Sequence, residues 1–487
     1  MLNHTSNGLF INGEWVRPYS EETAPAINPA TEEKIGTIQL AGTADMDRAV
    51  GAARTAFDFG PWPRLAPRER ADYLRRIADA MESSADELAT DLTTEMGSTI
   101  TQSRLAQIRI AVDLWRYYAE MADTYPWLEE RSAYDRPNQG NRILVRKEAA
   151  GVVVGILPWN GPHITAAMKA APALLAGCTV VLKPSPEAAL IMDTFGDIVM
   201  AAGLPNGVLN IVSAERTASE YLVTAKGVDR VSFTGSVAAG RRVASLCGER
   251  LIGCTTELGG KSAAILLDDV DLSLAVPNLA VAMAFINGQA CTAPTRILIP
   301  KSRAREAREA IVEHVRALPL GLPEKEETFI GPLVSTVQRD RVEGYIGIGR
   351  DEGARILLGG QRPAQQDRGY FVEPTIFADV HNGMRVAREE IFGPVYALIE
   401  YDGDQEAIAI ANDSDYGLSG SVWSQDVERA IHVSAQIQSG SVHVNNHGAD
   451  CAAPQGGYKI SGIGRERGPE GVDDFTLVKS TIVPNRY

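Results

Sequence analysis

From Gly151 onward the chain alternates short β-branched runs with alanine-rich stretches of helical spacing. The runs are Val152–Leu157, Thr179–Leu182, Val208–Val212, Arg230–Phe233 and Ala263–Leu267, and between them lie Thr165–Ala176 and Glu187–Ala202. Short apolar runs of this kind are buried on both faces, and parallel strands need a crossover of helix length between them. The pattern predicts an α/β fold with a parallel sheet covered by helices on both sides. A second region of the same texture runs from Leu298 to Ile437, with strands expected at Arg296–Ile299, Arg355–Leu358 and Val395–Tyr401.

Before Gly151 the chain reads as a lead-in followed by helices. Asp45–Phe57 has helical spacing, and Pro67–Met81 places Leu74, Ile77 and Ala78 on one face. Ser103–Ala122 repeats the stripe with Leu105, Ile108, Val112 and Trp115, which as core packing needs no functional reading. Gly140–Lys147 and Thr476–Val483 are strand-like but have no helix beside them. They are expected to pair with a distant partner, in this chain or in another subunit. No repeat, low-complexity tract or proline-rich linker separates these regions, so the domains pack together.

A chain of 487 residues is long enough for about three domains and a large core without disulfide or metal staples. With 47 basic and 62 acidic residues the net charge is −15, which disfavours nucleic acid and anionic membranes as partners. Cys178, Cys247, Cys254, Cys291 and Cys451 are scattered, with no C-x-x-C pair. That favours reduced thiols in a cytosolic protein, four of them buried as small apolar residues, over a disulfide framework or zinc site. The start, MLNHTSNGLFINGEW, lacks a basic segment and an apolar run, so a secretory signal is not expected and the Asn3-His4-Thr5 sequon carries no weight. Pro, Asn and Gly break the uncharged stretches 149–168 and 272–295, which argues against membrane spans.

Several motifs carry chemistry. Phe233-Thr234-Gly235-Ser236 follows a strand and runs through Val237-Ala238-Ala239 to Gly240 at a helix start, where a pyrophosphate could meet unpaired backbone N–H groups. Its G-x-x-x-x-G spacing also suits a plain structural turn. Gly260-Lys261-Ser262 is not a phosphate-binding P-loop, because Thr255 stands where that motif needs glycine. No G-x-S-x-G elbow is present, and His443, His447 and Cys451 lie in an Asn/Gly loop poorly suited to a metal. Cys291, in Asn287-Gly288-Gln289-Ala290-Cys291-Thr292, follows a buried element through a glycine turn that can expose its sulfur. Glu257, beside Gly259-Gly260 in an otherwise apolar run, can be desolvated enough to act as a general base. Read singly, the cysteine could be a buried apolar residue and the glutamate a surface acid.

Taken together these residues resemble the NAD(P)-dependent aldehyde dehydrogenase superfamily. The match runs in order through Pro158-Trp159-Asn160, Lys183-Pro184-Ser185, Phe233-Thr234-Gly235-Ser236, Glu257-Leu258-Gly259-Gly260-Lys261 and Gly288-Gln289-Ala290-Cys291. It continues with Glu390-Ile391-Phe392-Gly393-Pro394 and Gly457-Tyr458-Lys459-Ile460-Ser461-Gly462. The resemblance implies a Rossmann-like NAD(P)-binding domain from residues 1–126 and 149–257. It implies an α/β catalytic domain over 258–460 and a small β oligomerisation element from 127–148 and 471–487. A homodimer or homotetramer is expected.

The resemblance also implies roles. Cys291 would attack the aldehyde as thiolate, with the oxyanion held by the Asn160 amide and the Cys291 backbone N–H. Hydride transfer to the nicotinamide would leave a thioester, which water activated by Glu257 would hydrolyse to the acid. Lys169 resembles a lysine that supports proton relay. Trp159, Lys183, Ser185, Gly235, Ser236, Gly259, Glu390 and Phe392 would hold the cofactor. Gly161, Met168, Phe285 and Gln455 would line the aldehyde pocket. No metal is expected.

Two departures from the family pattern bear on specificity. Many NAD-preferring members carry Glu three places after the ribose lysine, where this chain has Pro186 and then Glu187. NAD is expected, with NADP as the second possibility. Gly161, Met168 and Gln455 stand where many members carry bulky groups, so a bulky aryl or terpenoid aldehyde is expected in place of acetaldehyde. The competing expectations are a coenzyme A-acylating dehydrogenase and a catalytically silent binding protein of the same fold. A glutamate at position 257 favours hydrolysis over the first, and the joint retention of Cys291, Glu257 and Asn160 disfavours the second.

Overall fold

The computed structural model describes residues 4–484. The parts of the expected terminal segments at residues 1–3 and 485–487 lie outside the described residues. Of the β-branched runs after Gly151, the fifth, Ala263–Leu267, falls in a second sheet, and the first four form the centre of an 8-stranded sheet. Its order is Gly462–Ile463, Gly253–Glu257, Arg230–Thr234, Val152–Ile156, Thr179–Lys183, Leu209–Ile211, Leu9–Ile11 and Glu14–Val16. The strands from Gly253–Glu257 to Leu209–Ile211 are parallel. Alternate side chains serve opposite faces. Val153, Val180 and Leu182 pack under helices Pro67–Ser83, Arg109–Met121 and Pro162–Ala176. Val152, Val154 and Val181 pack under Thr43–Asp58 and Val237–Arg250.

The strand order sets the position of the site. After Val152–Ile156 the chain builds outward through Thr179–Lys183 and Leu209–Ile211, then returns to lay Arg230–Thr234 on the other side. The loops after Val152–Ile156 and Arg230–Thr234 therefore diverge, leaving a crevice at their carboxyl ends, where open α/β sheets bind ligands.

A 7-stranded sheet forms the second layer system, in the order Arg355–Leu358, Thr375–Ala378, Val395–Tyr401, Pro294–Pro300, Ser262–Leu266, Ser419–Trp423 and Ser441–Val444. All its pairs are parallel except Arg355–Leu358 with Thr375–Ala378. The strands Arg142–Ala149 and Thr476–Val483 pair antiparallel with each other from Thr476↔Ala149 to Val483↔Arg142, and Leu128–Ser132 completes this 3-stranded sheet. The expected distant partner thus lies in the same chain.

The structure corrects several local expectations. The lead-in is not featureless, because Leu9–Ile11 and Glu14–Val16 extend the first sheet and Thr23–Ile27 and Lys34–Gln39 pair in a small sheet of their own. Ser103–Ala122 is not one regular helix. Wide π-type turns cover Ser103–Ile108 before the α-helix Arg109–Met121. Such turns insert an extra residue and rotate the face, so Leu105 is 65% exposed while Ile108, Val112 and Trp115 are buried. The segment 187–202 divides into a short turn, Pro186–Ala188, and the helix Ile191–Ala201. The Glu95 carboxylate, remote in sequence, accepts the backbone N–H groups of Leu190 (3.1 Å) and Ile191 (2.8 Å) and sets that start. Of the four cysteines other than Cys291, only Cys178 and Cys247 are buried, and Cys254 and Cys451 are half-buried. No helix among the described residues is long and apolar enough to cross a membrane.

Candidate active site

The crevice of the first sheet meets the second sheet at a cavity of about 230 Å³. From the first sheet come Pro158, Trp159 and Asn160 after Val152–Ile156, Thr234, Gly235 and Ser236 after Arg230–Thr234, and Glu257 at the end of its strand. The second sheet offers the amino ends of its strands. Leu258 and Gly259 precede Ser262–Leu266, Cys291 precedes Pro294–Pro300, and Glu390 and Phe392 precede Val395–Tyr401. Gln338 and Arg341 of helix Thr336–Asp351 close the wall.

Cys291 is placed by an unusual turn. Helix Leu272–Ala284 ends in a run where Ile286 (φ 49°), Asn287 (φ 56°) and Gly288 (φ 76°) are all left-handed. A β-branched residue there is costly, and such strain persists only where surrounding contacts enforce it. Here buried amides do so. The Gln102 Oε1 accepts from Ile286 N (2.8 Å), and Asn287 Nδ2 donates to the carbonyls of Gly97 (2.9 Å) and Pro332 (2.8 Å). The Asn287 Oδ1 accepts from Gly331 N (2.7 Å). Gly288 must lack a side chain, because a Cβ would stand 2.6 Å from Gly393 C and Pro394 N. The turn that carries Cys291 and the Glu390–Pro394 segment are thus in close backbone approach.

Asn160 Nδ2 donates to the Gln289 carbonyl at 2.8 Å, which ties the amide to the loop that carries Cys291. Burial pushes the Cys291 thiol up to about 12, with the Glu390 and Glu257 charges adding to it and its own backbone N–H and Arg467 opposing. Glu257 is buried, and neither of its carboxyl oxygens has a protein partner. Burial holds it well above the ordinary carboxylate range, Glu466 adds to this, and the Lys169 charge opposes it. A desolvated carboxyl with both oxygens free is suited to take a proton from water.

Lys169 does not line the cavity. Its Nζ donates to Glu466 Oε1 (2.6 Å) and Ser232 Oγ (3.0 Å) in a fully buried cluster, where Ser232 also donates to Glu466 (3.0 Å). Glu466 and Ser232 were not anticipated from sequence. The only hint of Glu466 is the charged run Arg465-Glu466-Arg467 between glycines.

The residues expected to hold the cofactor divide similarly. Trp159, Gly235, Ser236, Gly259, Glu390 and Phe392 line the cavity, whereas Lys183 and Ser185 lie beyond it. Ser236 caps helix Val237–Arg250, its Oγ accepting from Ala239 N (3.3 Å), so the helix amino end faces the cavity as an anion site. A Cβ at Gly259 would lie 2.2 Å from Glu390 Oε2, so only glycine admits that carboxylate, whose Oε1 accepts from Gly260 N (3.0 Å). The Trp159 and Phe392 rings meet edge to face at 5.4 Å. Phe392 is left-handed (φ 65°), and Gln338 Nε2 donates to its carbonyl (2.6 Å). Gln338 and Arg341, which donates to the carbonyls of Glu390 and Ile391, are further residues that the sequence did not reveal. Lys183 is buried, and burial lowers it to about 8 against the charges of Glu187 and Glu215. Ser185 Oγ donates to the Glu187 carboxylate. A glycine cradle, a helix amino end and a ribose-sized carboxylate arm fit a dinucleotide.

Gly161, Met168, Phe285 and Gln455 lie outside this cavity. Met168 is buried, Phe285 and Gln455 are half-buried, and Gln455 exchanges backbone hydrogen bonds with Glu466 at 2.7 Å. Among the described residues no group of three His, Cys, Asp or Glu is placed to hold a metal.

The aldehyde dehydrogenase family model matches residues 15–481. The chain belongs to the aldehyde dehydrogenase family. It is 44% identical to a geranial dehydrogenase from Castellaniella defragrans over 475 residues, 98% of each chain. Among solved structures it is similar to a Mycobacterium tuberculosis aldehyde dehydrogenase complexed with NAD+, at TM-score 0.96 and 44% identity over 99% of each chain. It is also similar to aldehyde dehydrogenase C of Pseudomonas syringae, a cysteine-to-alanine variant in complex with NAD+ and octanal. That match has TM-score 0.94 and 38% identity over 98% of this chain and 96% of the other. The protein is an aldehyde-oxidising enzyme with the family's α/β fold.

Proposed function

We propose that this chain oxidises a bulky, largely apolar aldehyde to the carboxylic acid with NAD, by covalent catalysis at Cys291 and hydrolysis by Glu257. The observation that carries the hydrolytic reading is the buried Glu257 carboxyl with both oxygens unpartnered, in the same cavity as Cys291. Cys291 Sγ, as thiolate, adds to the carbonyl carbon. Asn160 donates its amide to the developing oxyanion, alongside the Cys291 N–H, an interaction worth about 100- to 1,000-fold in rate per donor. Bound NAD serves as hydride acceptor. Glu257 then takes a proton from water as the water attacks the thioester, and the C–S bond breaks to return the Cys291 thiolate. Lys169, through Glu466, fixes the charge behind Glu257 as a positioning residue.

The cofactor assignment rests on Lys183 flanked by the acids Glu187 and Glu215, where a 2′-phosphate would meet like charge and a 2′-hydroxyl an acceptor. The similar chains named above bind NAD+ in their structures. The substrate class rests on Gly161, Met168 and Gln455 standing where the family pattern carries bulky groups; a Cβ at Gly161 would only just reach van der Waals contact, at 3.9 Å from Ile164 Cβ. It agrees with the geranial named for one relative and the octanal bound by another.

The 3-stranded sheet supports a homo-oligomer. Val478 and Ile482 are exposed on one face of it and Leu477 on the other, and a second copy laid on the Val478 face would cover that apolar pair.

The test is the rate of nicotinamide reduction with NAD and NADP across acetaldehyde, octanal, benzaldehyde and geranial, without coenzyme A. Turnover fastest with NAD and a bulky aldehyde is expected. Turnover only with coenzyme A would transfer the assignment to the acylating class, and acetaldehyde as the best substrate would remove the bulky-aldehyde assignment.

A further inference from the structure

Arg467 bears two costs in one residue. Its backbone is left-handed (φ 62°), and its side chain is nearly buried, the residue being 5% exposed. Among the described residues no acid lies within ion-pair distance of its guanidinium. Its nearest acid in sequence, Glu466, is held by Lys169. The Nη1 group reaches the Asp450 carbonyl only at 3.4 Å, the Nη2 group reaches Met168 Sδ at 3.9 Å, and the Nε N–H has no partner. A guanidinium has five N–H donors and no acceptor, so most of its capacity is unused. A buried, underbonded cation is expensive, so a partner that completes its hydrogen bonds would be bound strongly.

Met168, whose sulfur Arg467 meets, and Gln455 of the 450–455 loop are residues that the resemblance to the family assigns to the aldehyde pocket, on a side of Cys291 other than the cavity described above. Cys451 is half-buried, and Asp450, Ala452, Ala453 and Pro454 are exposed, so the Asp450 carbonyl that Arg467 meets belongs to a solvent-facing loop. The charged or titratable groups that bear on Arg467 are Cys451, Tyr118, Glu466 and Cys291. The Arg467 guanidinium thus meets Met168 and the Asp450 carbonyl, and its charge bears on Cys291. A guanidinium fork presents paired N–H groups to planar oxygens.

Resting on that placement of the aldehyde side, we propose that Arg467 is a specificity residue whose guanidinium receives a planar acceptor oxygen, carboxylate or ketone, at the end of the aldehyde remote from its formyl group. The substrate class is then a bulky aldehyde with an oxygenated far end, not a pure hydrocarbon aldehyde.

Matched pairs test this: benzaldehyde against para-formylbenzoate and para-acetylbenzaldehyde, and octanal against its ω-carboxylated counterpart. In the intact enzyme the oxygenated member of at least one pair should have the higher kcat/KM, chiefly through KM. Arg467→Met should reduce kcat/KM for that member by about 100-fold. The loss should be at least tenfold larger than for its plain partner, which also slows because the Arg467 charge favours the Cys291 thiolate. Arg467→Lys keeps the charge without the fork and should retain more activity on the carboxylate than on the ketone. If Arg467→Met fails to fold, the lysine variant and the wild-type ratios still decide. Equal ratios in every pair, or equal losses across each pair, would overturn the proposal. Preference for bulky aldehydes over acetaldehyde is read between size classes and the Arg467 effect within pairs, so either reading can fail alone.

Discussion

Lys169 Nζ lies 2.6 Å from Glu466 Oε1, and both side chains are sealed from water behind Glu257. Breaking such a pair by removing one partner strands the other charge, at about 3–5 kcal/mol. Lys169→Met and Glu466→Gln should each lower stability on that scale, while the double variant loses less than the sum, as a double-mutant cycle by denaturant melts would show. The Lys169 charge also favours the ionised form of Glu257. Without it the Glu257 carboxyl is held still higher, so the pH dependence of acid formation should shift to alkaline values in Lys169→Met. An unshifted profile would separate the pair from the base.

Glu257 is the second test. Burial raises its carboxyl, and it must lose a proton to serve as base. Burial likewise raises the Cys291 thiol, which reacts as thiolate. Both groups therefore become competent as pH rises, and turnover should climb through the neutral and mildly alkaline range. Glu257→Gln removes the base but leaves the nucleophile. Steady-state turnover should fall by about 100- to 10,000-fold, with a stoichiometric burst of NADH and an acyl adduct on Cys291 detectable by mass spectrometry. Loss of the burst together with turnover would place Glu257 in the first step instead.

The sequence showed the parts of this site that are local. Pro158-Trp159-Asn160, Thr234-Gly235-Ser236 and Glu257-Leu258-Gly259 lie at strand ends, where hydrophobic periodicity and glycine spacing mark the boundary, and they converge on one cavity. It did not show contacts made across the fold. Glu466 reaches Lys169 from 297 positions away, and Gln338 and Arg341 arrive on a helix whose pattern reads as surface. Leu105 was misplaced because wide turns break the 3.6-residue period on which the face was counted. The buried strand Ser419–Trp423 was missed because its Ser and Gly residues lack a β-branched signature.

Asn287 allows the conformation of the nucleophile turn to be separated from its anchoring. Asn287→Ala loses both the tolerance for φ 56° and the three side-chain hydrogen bonds, whereas Asn287→Gly restores only the first. If anchoring positions Cys291, both variants should lose about 100-fold in kcat, with affinity for NAD retained by fluorescence titration. Full activity in Asn287→Gly would show that backbone conformation alone is needed.

The exposed apolar rows on Thr476–Val483 should respond to charge. Val478→Lys with Ile482→Lys places two cations at the surface assigned to a second copy. Sedimentation should then show a smaller species than wild type, because burying two unpaired ammonium groups is prohibitive. An unchanged sedimentation coefficient would move the interface elsewhere.

Cofactor choice, assigned to the neighbourhood of Lys183, has its own test. Glu187 holds Ser185 Oγ and, with Glu215, bears on the lysine, so a 2′-phosphate would place added negative charge beside two carboxylates. Because Glu187 is solvent-exposed, screening reduces that repulsion and the preference should be graded. Glu187→Ser removes one of the two charges and frees the Ser185 hydroxyl to donate to a phosphate oxygen. The kcat/KM for NADP should rise about tenfold while that for NAD falls modestly, and high salt should narrow the wild-type preference. If NADP is used equally well before and after the change, selection is made by Glu215 or by neither acid, and a Glu187→Ser/Glu215→Ser double variant decides between them.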